Sequence, residues 1–233
     1  TKDIAIISRV NKPVRFIIEG IETTNGKPVA YLSRRKMQQA FIDNRLADMV
    51  PGDILEVKIT HLESFGAFCD IGCGISALLP IDNISVSRIP HPDVRFNVGD
   101  TIKAIIKSFD EAGRVILTHK ELLGTWEENA ELFKVGETVC GVIRSIESYG
   151  IFVELTPNLS GLAEYADGIY EGEFACVYIK SIIPEKMKFK LVIVDSFEDE
   201  SRKEKPRYFI DCEHIDYFRY SPENAIKTIE TTF

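Results

Sequence analysis

The chain contains ESFGAFCDI at residues 63–71 and repeats the pattern as ESYGIFVEL at residues 147–155. An alternating apolar run precedes each copy, with Leu55, Val57 and Ile59 before the first and Val139, Gly141 and Ile143 before the second. Alternation with a period of two indicates a half-buried strand. A glycine inside such a strand marks a bend or bulge, which a small closed barrel requires. The repeated stretch therefore predicts two small β-barrels.

The aromatic residues beside these glycines are Phe65 and Phe68 in the first copy and Tyr149 and Phe152 in the second. The alternating apolar positions already fill a barrel interior, so these rings need another role. We favour stacking on the bases of a single-stranded nucleic acid. The alternative is that Phe68 and Phe152 point inward and belong to the core.

The repeat extends beyond the aromatic motif. GDTIKAIIKS at residues 99–108 recurs as GEFACVYIKS at residues 172–181, and an apolar strand follows each copy, at residues 115–117 and 191–193. A similar hairpin occurs a third time at residues 12–32, around Asn25-Gly26. Internal repetition of this kind indicates a tandem array of one module. About five short strands and no large amphipathic helix per module predict an all-β fold of tandem five-stranded Greek-key barrels of the OB type.

The order of these motifs resembles the RNA-binding S1 domain of bacterial ribosomal proteins. The resemblance rests on aromatic-Gly-x-Phe, Gly-Asp-x-Ile, Asp-x-x-Gly-Arg and Leu-Ser/Thr-x-Lys in this order, and it covers residues 1 to about 197. It implies the following division. Residues 1–36 form the last hairpin of a truncated module, 37–50 a helical connector, 51–119 the first full barrel, 120–134 a second helical connector, 135–197 the second full barrel, and 198–233 a charged linker with a C-terminal extension. The start at Thr1, without a methionine, agrees with an upstream portion having been cut away.

In this family one barrel face carries two aromatic residues, a histidine on the next strand and an Asp/Arg pair near the last turn. The first module supplies Phe65, Phe68, Asp110 and Arg114, but Pro80 stands at the histidine position. The second module supplies Tyr149 and Phe152, with Glu164 at the histidine position and Lys188 about where the arginine is expected. Since a carboxylate repels phosphate, we expect the first module to be the stronger RNA-binding site.

Basic residues close to these motifs are candidates for phosphate contacts. They are Lys58, Lys103, Lys107 and Arg114 in the first module, and Arg144, Lys180 and Lys188 in the second. Not all of them can lie on the binding face. The net charge of the 233 residues is −8, so any nucleic-acid surface must be a local basic patch.

Composition excludes several other classes of protein. The apolar runs are too short for a membrane helix. The five cysteines include no Cys-x-x-Cys pair, which favours reduced thiols in a cytoplasmic protein and no metal site. We find no Gly-rich phosphate loop, zinc helix or nucleophile elbow. We therefore expect neither a cofactor nor an enzyme within this chain.

The C-terminal extension lies outside the repeat. We expect a flexible charged linker at residues 198–206, a strand at residues 207–211, and a helix that begins at Ser221-Pro222-Glu223 and runs to about Phe233. The two connectors are expected to be helices at residues 34–48 and 120–133, with Phe41 and Trp126 packed on the barrels.

These observations favour a protein that binds single-stranded RNA, mRNA or similar, in translation or RNA metabolism, with the small ribosomal subunit as a possible partner. The alternative is a protein-interaction array that docks on the ribosome with degenerate RNA-binding faces. A third interpretation is the binding appendage of a nuclease or phosphorylase.

Overall fold

The computed structural model describes residues 14–198 and 205–233. Parts of the expected N-terminal segment (residues 1–13) and of the charged linker (residues 199–204) lie outside the described residues. Two closed five-stranded barrels form the body of the molecule, as the sequence predicts. Among the described residues, no helix is long and apolar enough to cross a membrane.

A two-stranded hairpin precedes the barrels. Strands β1 (Ile17–Thr24) and β2 (Lys27–Ser33) pair antiparallel. Asn25 and Gly26 form the turn, both with positive φ, which is the backbone that a tight two-residue hairpin turn needs. Helix α1 (Arg34–Asn44) follows, with the Ser33 hydroxyl accepting a hydrogen bond from the backbone N–H of Lys36.

The first barrel is built from the expected strands in the order β3-β4-β5-β7-β6. Their bounds are β3 (Ile54–Glu63), β4 (Gly66–Asp70), β5 (Ser76–Pro80), β6 (Thr101–Phe109) and β7 (Val115–Thr118). The alternating residues of β3 point inward at Val57 and Ile59, where they meet Leu79, Phe96 and Leu117 in the core. Glycine is required at position 66, because a Cβ there would collide with the carbonyl oxygen of Leu79.

The second barrel repeats this architecture in the order β9-β8-β11-β12-β10, with β10 closing on β9. Its strands are β8 (Thr138–Glu147), β9 (Gly150–Thr156), β10 (Leu159–Ala163), β11 (Phe174–Ile183) and β12 (Lys188–Phe197). Ile143, Ile151 and Phe189 fill its centre. In both barrels the last strand lies parallel to the third, which closes the sheet without a free edge.

The connector between the barrels is less helical than expected. A 3-10 turn (Lys120–Leu123) is followed by Gly124 at φ +86° and by a short helix, α2 (Trp126–Ala130), that a Thr125/Glu128 capping box begins. The helix predicted at residues 120–133 is therefore too long, because Gly124 interrupts it. Trp126 packs into the second barrel with its ring 5.8 Å from that of Phe189.

The predicted C-terminal helix is wrong. Residues 221–229 form turns, and strands β13 (Tyr217–Arg219) and β14 (Glu230–Thr232) make a second small hairpin. The Ser221 hydroxyl, expected to cap a helix, accepts instead from the backbone N–H of Ile229 across the hairpin. The sequence Ile229-Glu230-Thr231-Thr232 is rich in β-branched residues, which favour a strand. No regular strand forms at residues 207–211, contrary to the prediction.

The C-terminal extension binds both barrels. On the first, the carbonyl of Glu213 accepts from the N–H of Ile54 at 2.8 Å, and Nδ1 of His214 lies 2.7 Å from the carboxylate of Asp53. On the second, Phe218 and Tyr220 are buried in the core, and the Tyr220 hydroxyl donates to the carbonyl of Asn158. The C-terminal extension therefore contacts both barrels and links them.

The first barrel also touches the second directly, through the loop between β5 and β6. Ser87 donates from its backbone N–H to the carbonyl of Pro157 at 3.0 Å, and its hydroxyl lies 2.7 Å from that of Ser160. The buried Asn158 side chain accepts from the N–H of Val86 and donates to the carbonyl of Lys120. These bonds fix the relative orientation of the barrels.

A buried histidine lies at this junction. His119 donates from Nδ1 to the carbonyl of Ile84 (2.9 Å), and its other nitrogen lies 3.4 Å from the hydroxyl of Tyr208. Burial lowers its pKa from 6.5 to about 4, with a smaller contribution from the positive charge of Arg95. The imidazole is therefore neutral in the folded protein at pH 7.

We expect His119 to make the protein acid-sensitive. Between pH 6.5 and about 4 the unfolded chain binds a proton that the folded chain does not, so stability falls as the pH drops through this window. The contribution lost between pH 7 and 5 is about 2 kcal/mol. Urea unfolding at both pH values checks this: His119→Gln should show a smaller loss than the unsubstituted protein. Equal losses in the two proteins would contradict the assignment.

Candidate nucleic-acid interface

Each barrel presents one pair of aromatic side chains at the same position. Phe65 is 53% exposed, and its ring lies edge-on to that of Phe68, with centroids 6.0 Å apart. Tyr149 is 67% exposed and meets Phe152 in the same way, at 6.2 Å. Phe68 and Phe152 are half-buried, while their neighbours Ala67, Cys69, Ile151 and Val153 occupy the cores. The alternative in which Phe68 and Phe152 are core residues is therefore not what the fold shows.

Strand register places a row of outward side chains across the first barrel. His61 pairs with Phe68, Phe68 with Leu78, Leu78 with Ile116, and Ile116 with Ser108. His61 is exposed and stacks on Phe68, with ring centroids 6.4 Å apart and planes 26° from parallel. We call these five residues the first-barrel row. Its centre, Phe68, Leu78 and Ile116, is apolar, which suits contact with bases.

Our sequence reasoning missed His61. Simple alternation from the buried Ile59 would turn Thr60 outward and His61 inward. A β-bulge between Ile59 and His61 adds one residue to β3, so both side chains are exposed. No residue pattern marked this bulge, although the second barrel repeats it between Ile143 and Ser145.

The equivalent row of the second barrel has a different chemistry. It consists of Ser145, Phe152, Leu162, Lys190 and Ser181. We call it the second-barrel row. An exposed lysine, Lys190, stands where the first barrel has Ile116. The second-barrel row therefore carries a cation, two strands away from Phe152 with Leu162 between them, and the sequence did not point to this lysine.

Two predicted cations of the first barrel lie beside its row, displaced in the same direction along the strands. Lys58 is exposed on β3 and pairs with Asp70, two residues along β4 from Phe68. Arg114 immediately precedes β7, and because β7 runs parallel to β5, it lies toward Ser76, which pairs with Asp70. Both cations thus lie beyond Phe68, on the side away from Phe65.

The predicted Asp110/Arg114 pair is formed. Arg114 donates from Nε to the Asp110 carboxylate at 2.6 Å, and the same carboxylate accepts from the backbone N–H groups of Arg114 and Ala112. The backbone bond from Arg114 is the largest of the contributions that lower the pKa of Asp110, so this carboxylate stays charged. Asp110 shapes the turn, and the exposed guanidinium remains open to solvent.

Two other predicted cations of the first barrel have partners within the protein. Lys103 forms a 3.2 Å ion pair with Asp211 and lies over the ring of Tyr208, both from the C-terminal extension. Lys107 donates to the side-chain oxygen of Asn83 at 3.1 Å. The extension therefore covers Lys103.

The three predicted cations of the second barrel differ in their surroundings. Lys180 and Lys188 are exposed, and Lys180 lies 3.9 Å from Glu164, itself 89% exposed. Arg144, the extra residue of the β8 bulge, is instead largely buried. It donates to both oxygens of the Glu154 carboxylate, at 2.8 and 3.1 Å. Pro80, at the histidine position of the first barrel, ends β5 opposite Gly66.

Glu154 joins the two barrels through a buried ion triad. Besides Arg144, it accepts from Arg95, which belongs to the first barrel, at 2.6 Å. Only 5% of its side chain is exposed. Burial by itself raises the pKa of Glu154, but the hydrogen bonds and charges of Arg144 and Arg95 outweigh that effect, and the pKa is lowered. The carboxylate is therefore ionised between its two partners. In the part of the chain that the structure describes, no group of three or more His, Cys, Asp or Glu residues could hold a metal ion.

Comparison with known proteins agrees with the repeat and the barrels. Residues 50–120 match the family model of the S1 RNA binding domain. The small ribosomal subunit protein bS1 of Staphylococcus aureus is 30% identical over 160 residues, 66% of this chain and 40% of the relative. That of Chlamydia trachomatis is 32% identical over 191 residues, 80% of this chain and 33% of the relative.

The chain is a bS1-like member of the S1-domain family. It spans about 40% or less of the length of these curated relatives. A multidomain protein with nucleic acid binding domains from Streptococcus pneumoniae is 13% identical, covering 76% of this chain and 63% of its own, with a TM-score of 0.31. That likeness is too distant to support a conclusion about function. The family model covers the first S1 domain, and the relationship of the second rests on the longer bS1 alignments and on its repeated barrel.

Proposed function

We propose that this chain binds single-stranded RNA on the aromatic rows of its two S1 barrels and acts in translation, at the ribosome in the cytoplasm. The observation that carries the proposal is the contact of the exposed Phe65 with the half-buried Phe68, on which His61 stacks in an apolar row outside the barrel core. Exposed rings of this kind stack on bases with little sequence preference. The proposed role is binding, without catalysis.

The charges near the rows support the same proposal. Lys58 and Arg114 flank the first-barrel row with exposed cations. In the second barrel, the exposed Lys190 lies within the row and the exposed Lys188 lies two residues before it on β12. Glu164, whose carboxylate repels phosphate, lies 3.9 Å from Lys180, so its charge is partly balanced. Lys103 and Arg144 have protein partners and are not part of the proposed interface. We retain the first barrel as the stronger site, because its row is more apolar.

Fluorescence anisotropy of labelled uridine-rich and mixed single-stranded RNA tests the proposal. We expect binding at low salt that weakens as salt rises, with a log–log slope of about −0.7 for each phosphate contact. A duplex RNA of the same length is the control and should bind more weakly, since its bases are not free to stack. Undetectable binding to either single strand at low salt would overturn the proposal and favour an array that docks to protein.

Lys190 provides a sharper test of the second barrel. We expect Lys190→Ala to reduce the magnitude of the salt slope by about 0.7, since one phosphate contact is lost. The control is Lys227→Ala, which removes another exposed lysine, from the C-terminal extension, and should leave the slope unchanged. Equal slopes for all three proteins would show that RNA does not pass over Lys190.

A further inference from the structure

Two cysteines of the second barrel lie side by side on neighbouring strands. Cys140 on β8 and Cys176 on β11 are direct partners in the antiparallel register. Their sulfur atoms are 3.9 Å apart, and both are free thiols. They are 36 residues apart in sequence, so only the pairing of β8 with β11 brings them together.

Both thiols face the outside of the barrel. The flanking residue Ala175 is fully buried, and alternation along the strand turns Cys176 outward. Cys140 is exposed and Cys176 half-buried. The remaining cysteines differ: Cys69 and Cys73 are buried, and the exposed Cys212 donates its thiol to the carbonyl of His214.

We propose that Cys140 and Cys176 form a redox-modification site that exchanges with low-molecular-weight disulfides and closes into a cross-strand disulfide. Directly opposed residues of an antiparallel pair have Cα atoms about 4.5–5.5 Å apart. Disulfides span Cα separations of about 4.4–6.8 Å. The backbone is thus already in place, and only rotation of the two side chains is needed to bring the sulfur atoms into bonding distance.

In this exchange the small disulfide is the oxidant, and the two protein thiols are oxidised. The Cys140 thiolate attacks one sulfur of the small disulfide, forms a mixed disulfide and releases one small thiol. The Cys176 thiolate then attacks the Cys140 sulfur, which forms the Cys140–Cys176 bond and releases the second small thiol. The two thiol protons of the protein end on the two released thiols. The protein pair is oxidised by two electrons, and the small disulfide is reduced by two.

The order of attack follows from the surroundings of the two thiols. The hydrogen bond with Cys140, partial desolvation and the negative charge of Asp195 raise the pKa of Cys176. Cys140 is also the more exposed of the two. Cys140 is therefore the thiol that meets the oxidant, and Cys176 resolves the mixed disulfide.

Incubation of the full chain with glutathione disulfide, followed by alkylation and peptide mass spectrometry, tests this site. We expect a linked Cys140–Cys176 peptide that is about 2 Da lighter than the sum of the two reduced peptides, because a disulfide forms with the loss of two hydrogens. In Cys176→Ser the glutathione should remain on Cys140. Cys212 is an internal control, since an exposed thiol without a neighbouring thiol should keep its glutathione.

Two results would overturn the proposal. One is unlinked Cys140 and Cys176, each carrying glutathione, at saturating oxidant. The other is two reduced thiols at positions 140 and 176 under conditions in which Cys212 has reacted. Thermal unfolding gives an independent readout, since a bond that closes a loop of this length should raise the midpoint of the oxidised protein by roughly 10 °C. Cys140→Ser should show no such rise.

Discussion

Replacement of Phe65 and Phe68 together by alanine is expected to weaken the binding of single-stranded RNA by about 100-fold. Each stacked base contributes on the order of 1–3 kcal/mol. Phe68 belongs to the first-barrel row, and the ring of Phe65 packs edge-on against it. His61 stacks on Phe68, so the loss of that ring also removes the support of the histidine. Anisotropy titrations at low salt measure the effect.

The matched double variant Tyr149→Ala with Phe152→Ala should cost less affinity. The second-barrel row has the same paired rings but lacks the stacked histidine, and Ser145 lies opposite Phe152. Tyr217→Ala is a control, because it removes an exposed ring from the C-terminal hairpin, which carries neither aromatic row. Circular dichroism must show that each variant is folded. Equal losses for the two double variants would mean that the barrels contribute equally.

Replacement of Glu154 by glutamine is expected to lower the free energy of unfolding by about 3 kcal/mol or more. The substitution keeps the size of the side chain but removes its charge, which leaves Arg95 and Arg144 without a counterion in a largely buried site. Removal of one partner of a buried ion group is strongly destabilising, because the remaining charges stay desolvated. Urea unfolding at neutral pH measures the change.

The control for Glu154 is the same substitution at an exposed position. Glu164→Gln removes a carboxylate that is 89% exposed and lies 3.9 Å from Lys180, so we expect no measurable change in stability. Arg95→Ala tests the inter-barrel part of the triad separately, because Arg95 comes from the first barrel. If Glu154→Gln is as stable as the unsubstituted protein, the triad does not hold the barrels together.

The aromatic rows show how far sequence reasoning could reach. The motifs around Gly66 and Gly150 predict the strand that contains each glycine, the barrel and the outward position of the aromatic rings. Each of these features depends on alternation over a few neighbouring residues. The predicted Asp110/Arg114 pair also lies within one tight turn. The roles of these residues in RNA binding stay predictions, as do the domain boundaries.

Other residues of the proposed RNA-binding surface could not be predicted from alternation along a single strand. His61 faces outward only because of a bulge in β3. Lys190 comes into the row of Phe152 only through the pairing of three strands, β9, β10 and β12, of which β12 is distant from the other two in sequence. Arg144 looked like a free cation on its own strand, but it pairs with the buried Glu154, which also binds Arg95 from a loop of the first barrel. The C-terminal helix was predicted from a local capping signal, and the pairing of β13 with β14 replaced it.

The sequence by itself determined the tandem barrels, the paired aromatics and the family, since alternation, glycine positions and internal repeats are local properties of the chain. The tertiary structure alone decided which basic side chains remain exposed, how the C-terminal extension contacts the two barrels, and which two thiols lie side by side. These features depend on register shifts and on contacts between distant segments. The sequence around a residue does not show which residue of a distant segment the fold will place beside it.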